Sequence, residues 1–213
     1  MMDKVKLVFI RHGATAGNAE KRYIGRTDEL LSKAGREKLR DFCAAGMYSD
    51  VSANAQLFVS PMKRCAETAQ ILFPDVKPVV IEDFRETDFG LFEGKNYDEL
   101  MADPTLKDEY QKWIDSNGES PFPSGESRKA FIERTVQGFR SMMDLVLENA
   151  AECCGDDVVA VIHGGSIMAL LSSFCGGSFY DYQVENGHGF VCTLDVAAYN
   201  CGNTGSMSVL QRF

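Results

Sequence analysis

Histidine is scarce in this chain of 213 residues, which has only three: His12, His163 and His188. Basic residues are also few, with 22 Lys and Arg against 31 Asp and Glu and a net charge of -9. Phosphate backbones require a basic surface, so neither nucleic acid nor an anionic membrane is expected as a partner. The histidines lack the spacing of metal ligands, so we expect no metal and no other cofactor.

Long hydrophobic runs and paired cysteine motifs are absent. No stretch approaches the roughly 18 apolar residues of a membrane span, and Met1–Lys6 lacks the pattern of a signal peptide. The seven cysteines are an odd number without C-x-x-C spacing, which is typical of reduced thiols. These features predict a cytoplasmic protein.

Two short apolar segments end in a histidine followed by glycine. They are VKLVFI (Val5–Ile10), before Arg11-His12-Gly13, and VVAVI (Val158–Ile162), before His163-Gly164-Gly165. Runs of this kind are typical of buried parallel strands. Parallel neighbours lie about 4.8 Å apart, so we expect both imidazoles to face one ligand at the carboxyl edge of the sheet. The glycines are expected to leave accessible amides.

The rest of the chain alternates helical and extended patterns. The predicted helices are Ser32–Ala45, the stretch from Ser60-Pro61 to Phe73, Arg128–Ala151 and Ser166–Phe174; the predicted strands are Leu57–Val59, Val79–Ile81 and two within Gly189–Gln211. Serine is a good N-cap and proline suits the first helical position, so a helix is expected to begin at Ser60-Pro61.

This alternation predicts an α/β fold, a three-layer α/β/α sandwich with a mainly parallel sheet and one antiparallel strand. Residues 1–213 are interpreted as a single domain. The stretch from about 89 to 127 contains three prolines and no clear strand. We expect it to form a helical or irregular excursion over the active site.

Arginines accompany the histidines. Arg11 precedes His12, and Arg64 lies near the start of the helix predicted from Ser60-Pro61, where negative charge is favoured. Guanidinium groups bind phosphate oxygens in bidentate geometry. Two arginines and two imidazoles around one site indicate phosphoryl transfer by positioning and charge stabilisation, without a metal.

The segment RHGATAGN (Arg11–Asn18) resembles the signature of the histidine phosphatase superfamily, the phosphoglycerate-mutase-like fold. Other segments resemble further family motifs in the family's order: YIGRTDELLSKAG (Tyr23–Gly35), SPMKRCAETA (Ser60–Ala69), FRETDFGLFEG (Phe84–Gly94), PSGES (Pro123–Ser127) and VIHGG (Val161–Gly165). The resemblance covers essentially the whole chain and implies an enzyme that works through a phosphohistidine.

The resemblance also implies a role for each catalytic residue. His12 resembles the nucleophile that attacks phosphorus. Arg11, Arg64 and His163 resemble the other members of the phosphate pocket. Glu86 matches the general acid that protonates the leaving oxygen and then activates water.

Four residues resemble substrate contacts of the family. Asn18 matches a side-chain amide that contacts the phosphoryl group, and Ile24 and Gly25 match the loop backbone beside the substrate. The amide of Gly164 is an extra donor. The acid also needs a partly desolvated place, which three nearby aromatic residues are expected to supply: Phe84, Phe89 and Phe92.

Two further residues of the motifs have plainer interpretations. His188, in the sequence NGHG, is interpreted as a turn residue rather than a third catalytic histidine. Thr15 is interpreted as a cap of the turn that follows it.

The segment Asp88–Arg128 bears on the choice between phosphatase and mutase. It has ten acidic and four basic residues, a net charge of -6 that repels a second phosphate. Its aromatic residues are either core or a cover for an apolar or aromatic leaving group. Phe92 stands where the family often has tryptophan, and Ser124 where glycine is commoner, and both changes blur the substrate.

The sequence therefore predicts a metal-independent phosphomonoesterase, a histidine acid-type phosphatase acting on a small phosphorylated metabolite. It resembles the α-ribazole-phosphate and broad-specificity phosphatases. One alternative is a 2,3-bisphosphoglycerate-dependent phosphoglycerate mutase. Another is a catalytically weak member that binds a phospho-ligand or a protein. Small family members occur as monomers and dimers, and the sequence does not choose between these states.

Overall fold

A computed structural model describes residues 3–52, 54–149 and 157–213 of the chain. A sheet of six strands in the order β3-β2-β4-β1-β5-β6 lies at its centre. The strands are β1 (Lys4–Arg11), β2 (Gln56–Val59), β3 (Val79–Val80), β4 (Val158–Ile162), β5 (Gly189–Asp195) and β6 (Met207–Arg212). Strands β3, β2, β4 and β1 pair in parallel, while β5 is antiparallel to both β1 and β6. Among the strands described, β5 alone runs against the others, which confirms the predicted sheet.

Helices cover both faces of this sheet. They are α1 (Ala16–Ala19), α2 (Lys33–Ala44), α3 (Lys63–Leu72), α4 (Tyr97–Ala102), α5 (Lys107–Asp115), α6 (Arg128–Glu148), α7 (Gly164–Phe174) and α8 (Val196–Asn200). Short 3-10 turns lie at Glu82–Phe84, Gly90–Phe92 and Phe179–Tyr182. None of the helices within the described ranges is long and apolar enough to cross a bilayer.

Alternate residues of β1 face two apolar layers. Leu7 and Phe9 pack in one buried cluster with residues of α6 and α7. Val8 and Ile10 pack in a second cluster with residues of α3. Both faces of β4 are buried, as expected of a central parallel strand. The result is the predicted three-layer α/β/α arrangement.

The chain between Phe89 and Ser127 leaves the sheet, as predicted, and includes α4 and α5. Its side chains form a separate apolar cluster, with Phe92, Tyr110 and Phe122 buried and Trp113 packed against them. This cluster confirms core packing for these aromatic residues.

Several predicted boundaries were wrong. Helix α3 begins at Lys63 with Met62 at its N-cap, while the hydroxyl of Ser60 is hydrogen-bonded to His163 at 2.8 Å and accepts only a long bond, 3.4 Å, from the amide of Met62. Helix α7 begins at Gly164, two residues earlier than predicted. The predicted tail of two strands also contains the short helix α8, which Asp195 caps through the amide of Ala198.

Two predictions fall partly outside the described residues. The helix predicted to reach Ala151 ends at Glu148, and Ala151 itself is not described. Free thiols are found at Cys43, Cys65, Cys175, Cys192 and Cys201. Cys153 and Cys154 lie outside the described ranges.

Candidate active site

The ends of β1 and β4 bring His12 and His163 together, as the strand pattern predicted. The strands pair with Arg11 opposite Ile162, and the amide of His12 donates to the carbonyl of Ile162 at 3.0 Å. The two imidazole centroids are 5.1 Å apart, with an angle of 69° between the rings. Both side chains are buried.

The tautomer of His12 follows from its hydrogen bond. Its Nδ1 lies 2.7 Å from the carbonyl oxygen of Gly13, and a carbonyl can only accept, so Nδ1 carries the proton. Burial, and the charges of Arg64 and Arg11, lower the pKa of His12 well below its ordinary value. The ring is therefore neutral, and its Nε2 has a free lone pair.

The amide of Gly13 is not the accessible donor that we expected. It donates to Thr68 Oγ1 at 3.0 Å, because α3 packs close to the end of β1. In contrast, Gly164 is the first residue of α7, so its amide has no acceptor within the helix. The two glycines that follow the histidines thus differ in what they offer a ligand.

Both ring nitrogens of His163 face protein groups. Nδ1 accepts a long hydrogen bond from Arg64 Nε at 3.4 Å, and Nε2 lies 2.8 Å from Ser60 Oγ. Burial, and next the charge of Arg64, lower the pKa of His163 well below its ordinary value. The neutral ring therefore has its proton on Nε2, directed to Ser60.

Arg64 is fully buried and is held by a backbone loop. Its Nη1 donates to the carbonyl of Thr27 at 2.9 Å, and its Nη2 to the carbonyls of Gly25 at 3.0 Å and Ile24 at 3.4 Å. With Nε directed to His163, one of the five guanidinium N–H groups is left for a ligand. Ile24 and Gly25 thus contact the arginine through their carbonyl oxygens.

Glu93, which the sequence reasoning did not single out, fixes this loop. Its Oε1 accepts from the amides of Gly25 and Thr27, both at 2.9 Å. A side chain at Gly25 would place a Cβ only 1.9 Å from the carbonyl oxygen of Thr87, so only glycine fits. The motif FGLFEG does not predict this contact, because Glu93 lies 68 positions from Gly25 in the sequence.

Arg11 offers a donor beside the histidines. Its Nη1 donates to the carbonyl of Val184 at 2.7 Å, while its Nε is buried and has no acceptor among the described residues. Burial lowers the pKa of Arg11, although Glu86 partly offsets this effect. A Cβ added at Gly164 would lie 3.3 Å from this Nε, so the free Nε and the start of α7 border the same space.

Glu86 lies on the other side of His163. Its Oε2 is 4.0 Å from His163 Nδ1, and its Oε1 accepts from the amide of Thr87 at 2.9 Å. Burial raises the pKa of Glu86 above its ordinary value, against the lowering effect of the Thr87 amide and the two arginines. At Gly165, a Cβ would come within 2.6 Å of Oε1, so a larger residue there would displace the carboxyl.

The apolar surroundings expected for Glu86 are only partly those predicted. Phe89 lines a pocket together with Glu86, as expected, and so does Phe131 of α6. Phe84 and Phe92 are fully buried in two separate core clusters. The helical spacing of Phe131 had indicated only a core position.

Asn18 is held by two neighbours. Its Oδ1 accepts from the amide of Thr15 at 3.2 Å, within a capping box that confirms Thr15 as the cap of α1. Asn186 Nδ2 lies 3.2 Å from the same oxygen and 3.0 Å from the carbonyl of His12. Because the oxygen of Asn18 is occupied in this way, its amide nitrogen is left to donate. Asn186 lies in an ordinary turn sequence and was missed.

His188 lies in the turn before β5. Its ring packs edge-on against Phe42, with centroids 4.9 Å apart, and its carbonyl accepts from the amide of Arg11 at 2.9 Å. The position agrees with the interpretation of His188 as a turn residue.

A polar cleft of about 560 Å³ opens on Glu86. Most of the charged side chains in its walls are paired with one another: Arg26 with Asp88 at 3.1 Å, and Arg134 with Glu126 at 2.8 Å. His12, Arg64 and Glu86 are grouped around His163, so a neutral imidazole, a cationic guanidinium and a carboxyl whose pKa is raised by burial lie together. Such a set can move a phosphoryl group and a proton.

Comparison with known proteins agrees with this geometry. The model of the histidine phosphatase superfamily (branch 1) matches residues 7–201. The chain belongs to this superfamily. Relatives of the chain include proteins named as phosphatases and proteins named as phosphoglycerate mutases.

Two relatives and one solved structure show the extent of the likeness. A bifunctional protein of Mycobacterium tuberculosis is 33% identical over 213 residues, covering 97% of this chain and 54% of that protein. Glucosyl-3-phosphoglycerate phosphatase of Mycolicibacterium vanbaalenii is 29% identical over 199 residues, covering 91% of this chain and 84% of that protein. The α-ribazole phosphatase of Shigella flexneri superposes with a TM-score of 0.73 at 21% identity, covering 96% of this chain and 94% of that chain, which shows the shared fold. The chain spans about half the length of the mycobacterial relatives to which it is 33% identical.

Proposed function

We propose that this protein is a metal-independent phosphomonoesterase that hydrolyses a small phosphate ester through a phosphohistidine on His12. The observation that carries the proposal is the hydrogen bond from His12 Nδ1 to the carbonyl of Gly13. It fixes the proton on Nδ1 and leaves Nε2 as a nucleophile. Chemistry at neutral imidazole needs no deprotonation step before attack.

In the first step, His12 Nε2 attacks phosphorus and the bond from phosphorus to the ester oxygen breaks. Three donors without acceptors inside the described protein would face the equatorial oxygens: Arg11 Nε, the remaining N–H of Arg64 and the amide of Gly164. Asn18 would add its side-chain amide. Such preorganised donors stabilise charge that develops in the transition state.

His163 has a supporting role in this proposal. Its Nδ1 accepts from Arg64 Nε and its Nε2 is directed to Ser60, so the ring orients the arginine beside the phosphoryl group. The fully buried ring also excludes water from one side of His12. This differs from a direct contact with the equatorial oxygens, which the family resemblance implied.

Glu86 is the acid and then the base. Burial keeps its carboxyl protonated to a higher pH than usual, so it can give its proton to the leaving oxygen. In the second step, the carboxylate takes a proton from water, the water oxygen attacks phosphorus, and the bond to Nε2 breaks. Inorganic phosphate leaves, and Glu86 and His12 return to their first states.

The pairing of charges in the polar cleft supports a phosphatase over a mutase. A mutase primed by a bisphosphate must hold a second phosphate, which needs cations that are not already neutralised. Here Arg26 and Arg134 are each paired with a carboxylate, and Arg85 is the exposed exception among the arginines of the cleft walls described. We therefore assign release of phosphate to water as the main reaction.

The test is release of phosphate from a generic ester in the presence of EDTA. Wild type and His188→Ala, a histidine control away from the predicted pocket, should turn over, while His12→Ala should lose nearly all activity. Full activity of His12→Ala would contradict the mechanism, and loss of wild-type activity in EDTA would contradict metal independence. Phosphoglycerate interconversion faster than phosphate release would instead identify a mutase. No turnover, with phospho-ligand affinity retained by His12→Ala, would identify a binding protein.

A further inference from the structure

A second, apolar pocket also has Glu86 in its wall. It has a volume of about 210 Å³, and we call it the aromatic pocket. Its walls come from the excursion, α6, α7 and the turn at Phe179–Tyr182. The apolar side chains in these walls include Phe89, Trp113, Phe122, Phe131, Met168 and Phe179.

The rings of this pocket are held in place by one another. Phe89 and Phe122 pack edge to face with centroids 5.0 Å apart, and Trp113 lies 5.2 Å from Phe122. Tyr23 lines the pocket with them, its ring centroid 5.1 Å from that of Phe89 and 5.9 Å from that of Trp113. Edge-to-face and offset pairs of this kind fix ring orientation, so the pocket is formed before a ligand arrives.

The pocket has no free cation among its described residues. Its arginine, Arg128, stacks on Phe179 and Tyr180, with its guanidinium carbon 5.1 and 4.9 Å from their ring centroids. The guanidinium is also paired with Glu119 and bonds to Tyr180 Oη at 2.9 Å. A second phosphate or a carboxylate would find no unpaired positive charge there.

Size and polarity favour a ring as the occupant. An apolar cavity of about 150 Å³ in a protein interior accommodates benzene, whereas drug-sized ligands use about 300–1,000 Å³. The aromatic pocket lies between these limits, which suits one aromatic ring or a fused pair. Trp113 Nε1 is buried without an acceptor among the described residues, which leaves a donor for a ring heteroatom.

The position of Glu86 connects this pocket with the reaction. Its carboxyl lines the aromatic pocket and the polar cleft, and Gly165, beside its Oε1, lines the aromatic pocket too. A group attached to the oxygen that Glu86 protonates can therefore extend straight into the apolar space. Any leaving group must extend from the ester oxygen that Glu86 protonates, whatever its chemistry.

We propose that the substrate's leaving group carries an aromatic ring that binds in the aromatic pocket, while the ester oxygen lies at Glu86 and the phosphoryl group at His12. This inference rests on the proposed phosphatase function and specifies its substrate class. Phosphate esters of aralkyl or heteroaromatic alcohols are then substrates, and small polar phosphates such as phosphoglycerate are poor ones.

The kinetic test compares 2-phenylethyl phosphate with ethyl phosphate, two esters of primary alcohols that differ in the ring. We expect kcat/KM to be at least about tenfold higher for the phenyl ester, as for other apolar pockets. Phe179→Ala and Met168→Ala, two half-buried wall positions, should each lower this ratio, Phe179→Ala by about fivefold or more. Tyr97→Ala, an exposed aromatic residue of the same excursion outside the pocket, should keep it.

A binding test works without turnover, because Trp113 is the chain's single tryptophan and lies in the pocket wall. Titration with 2-phenylethylphosphonate should change its fluorescence and give a Kd at least about tenfold lower than for ethylphosphonate. The difference should shrink in Phe179→Ala. Thermal unfolding of each variant shows whether it is folded.

The two experiments separate the two levels of the proposal. If phosphate is released from both esters with equal kcat/KM, the proposal of an aromatic leaving group is wrong and the phosphatase function stands. The same conclusion follows if the preference for the phenyl ester is unchanged in both folded wall variants. No release from either ester contradicts the phosphatase, and the phosphonate titration then decides on the pocket alone. Equal affinity for both phosphonates overturns the pocket assignment.

Discussion

Glu86→Gln separates the acid chemistry of the proposed site from its binding chemistry. The side chain is 12% exposed and accepts from the amide of Thr87 at 2.9 Å through Oε1. The amide oxygen of glutamine can keep this bond, so the fold should be retained. Glutamine has no proton to give to a leaving oxygen.

The size of the expected effect follows from the role of one group. General acid catalysis contributes about 100- to 10,000-fold, which is about 2.7–5.4 kcal/mol of barrier. The other carboxylates in the cleft wall, Asp88 and Glu126, are paired with arginines and are poor substitutes. Phosphoenzyme formation from an alkyl ester should therefore slow by about the full 100- to 10,000-fold. With p-nitrophenyl phosphate, whose leaving group needs no proton, the loss should be less than about tenfold.

The assay is a single-turnover rapid-quench measurement of alcohol or nitrophenol release. Steady-state rates would mix the two steps, because Glu86 also activates water in the second one. Glu37→Gln, an exposed carboxylate of α2, is the matched control and should behave as wild type. Equal slowing of both esters in Glu86→Gln would refute the acid role.

Three further predictions concern protonation and positioning. Activity should fall at low pH, where His12 gains a proton below the ordinary histidine pKa of about 6.5, and at high pH, where Glu86 loses its proton above the ordinary glutamate pKa of about 4.3. A wild-type pH–rate profile with no alkaline limb would contradict this. Asn186→Ala should lower kcat/KM about 3- to 30-fold in steady-state kinetics, because the amide of Asn18 loses its orientation, whereas the exposed control Asn203→Ala should not. Equal kcat/KM in wild type and Asn186→Ala would exclude the positioning role. In denaturant unfolding, Glu93→Ala should lower the free energy of unfolding by about 2–4 kcal/mol, since two amides lose a charged acceptor, and Glu93→Gln should lose less. An unchanged unfolding midpoint in Glu93→Ala would contradict the loop's dependence on this carboxylate.

Local patterns were enough to predict the sheet and the meeting of the two histidines. Each apolar run of β1 and β4 ends at its histidine, and parallel strands place their carboxyl ends side by side. The family motifs added Arg64 and Glu86, whose own surroundings in sequence look like ordinary helix and surface positions. What is local or carried by a motif was therefore predictable.

Contacts between distant segments were not predictable. Ser60 was expected to cap a helix, but the end of β4 brings His163 within 2.8 Å of its hydroxyl, which keeps only a long bond, 3.4 Å, from the nearby amide of Met62. Asn186 meets Asn18 across 168 residues, and no periodicity marks either side chain for the other. The hydrogen bonds of Glu93 with the amides of Gly25 and Thr27 also join segments that are distant in sequence. Which of several available partners a side chain binds therefore depends on the complete fold.

The aromatic residues of the excursion illustrate an intermediate case. Their number predicted either a core or a cover for a leaving group, and the structure shows a core cluster that also borders a pocket at Glu86. Phe131 joins that pocket from α6, although its spacing indicated only an apolar helix face. Sequence periodicity locates the buried face of an element but not the gaps between elements.

The central claim is that phosphate becomes bonded to Nε2 of His12. Rapid quench of a single turnover into alkali, where phosphohistidine survives, followed by peptide mass spectrometry, tests it most directly. Wild type should carry one phosphate on the peptide that contains His12, and Glu86→Gln with p-nitrophenyl phosphate should accumulate more of it, because the second step lacks its base. Turnover without any phosphopeptide, or phosphate on His163 instead, would contradict the account.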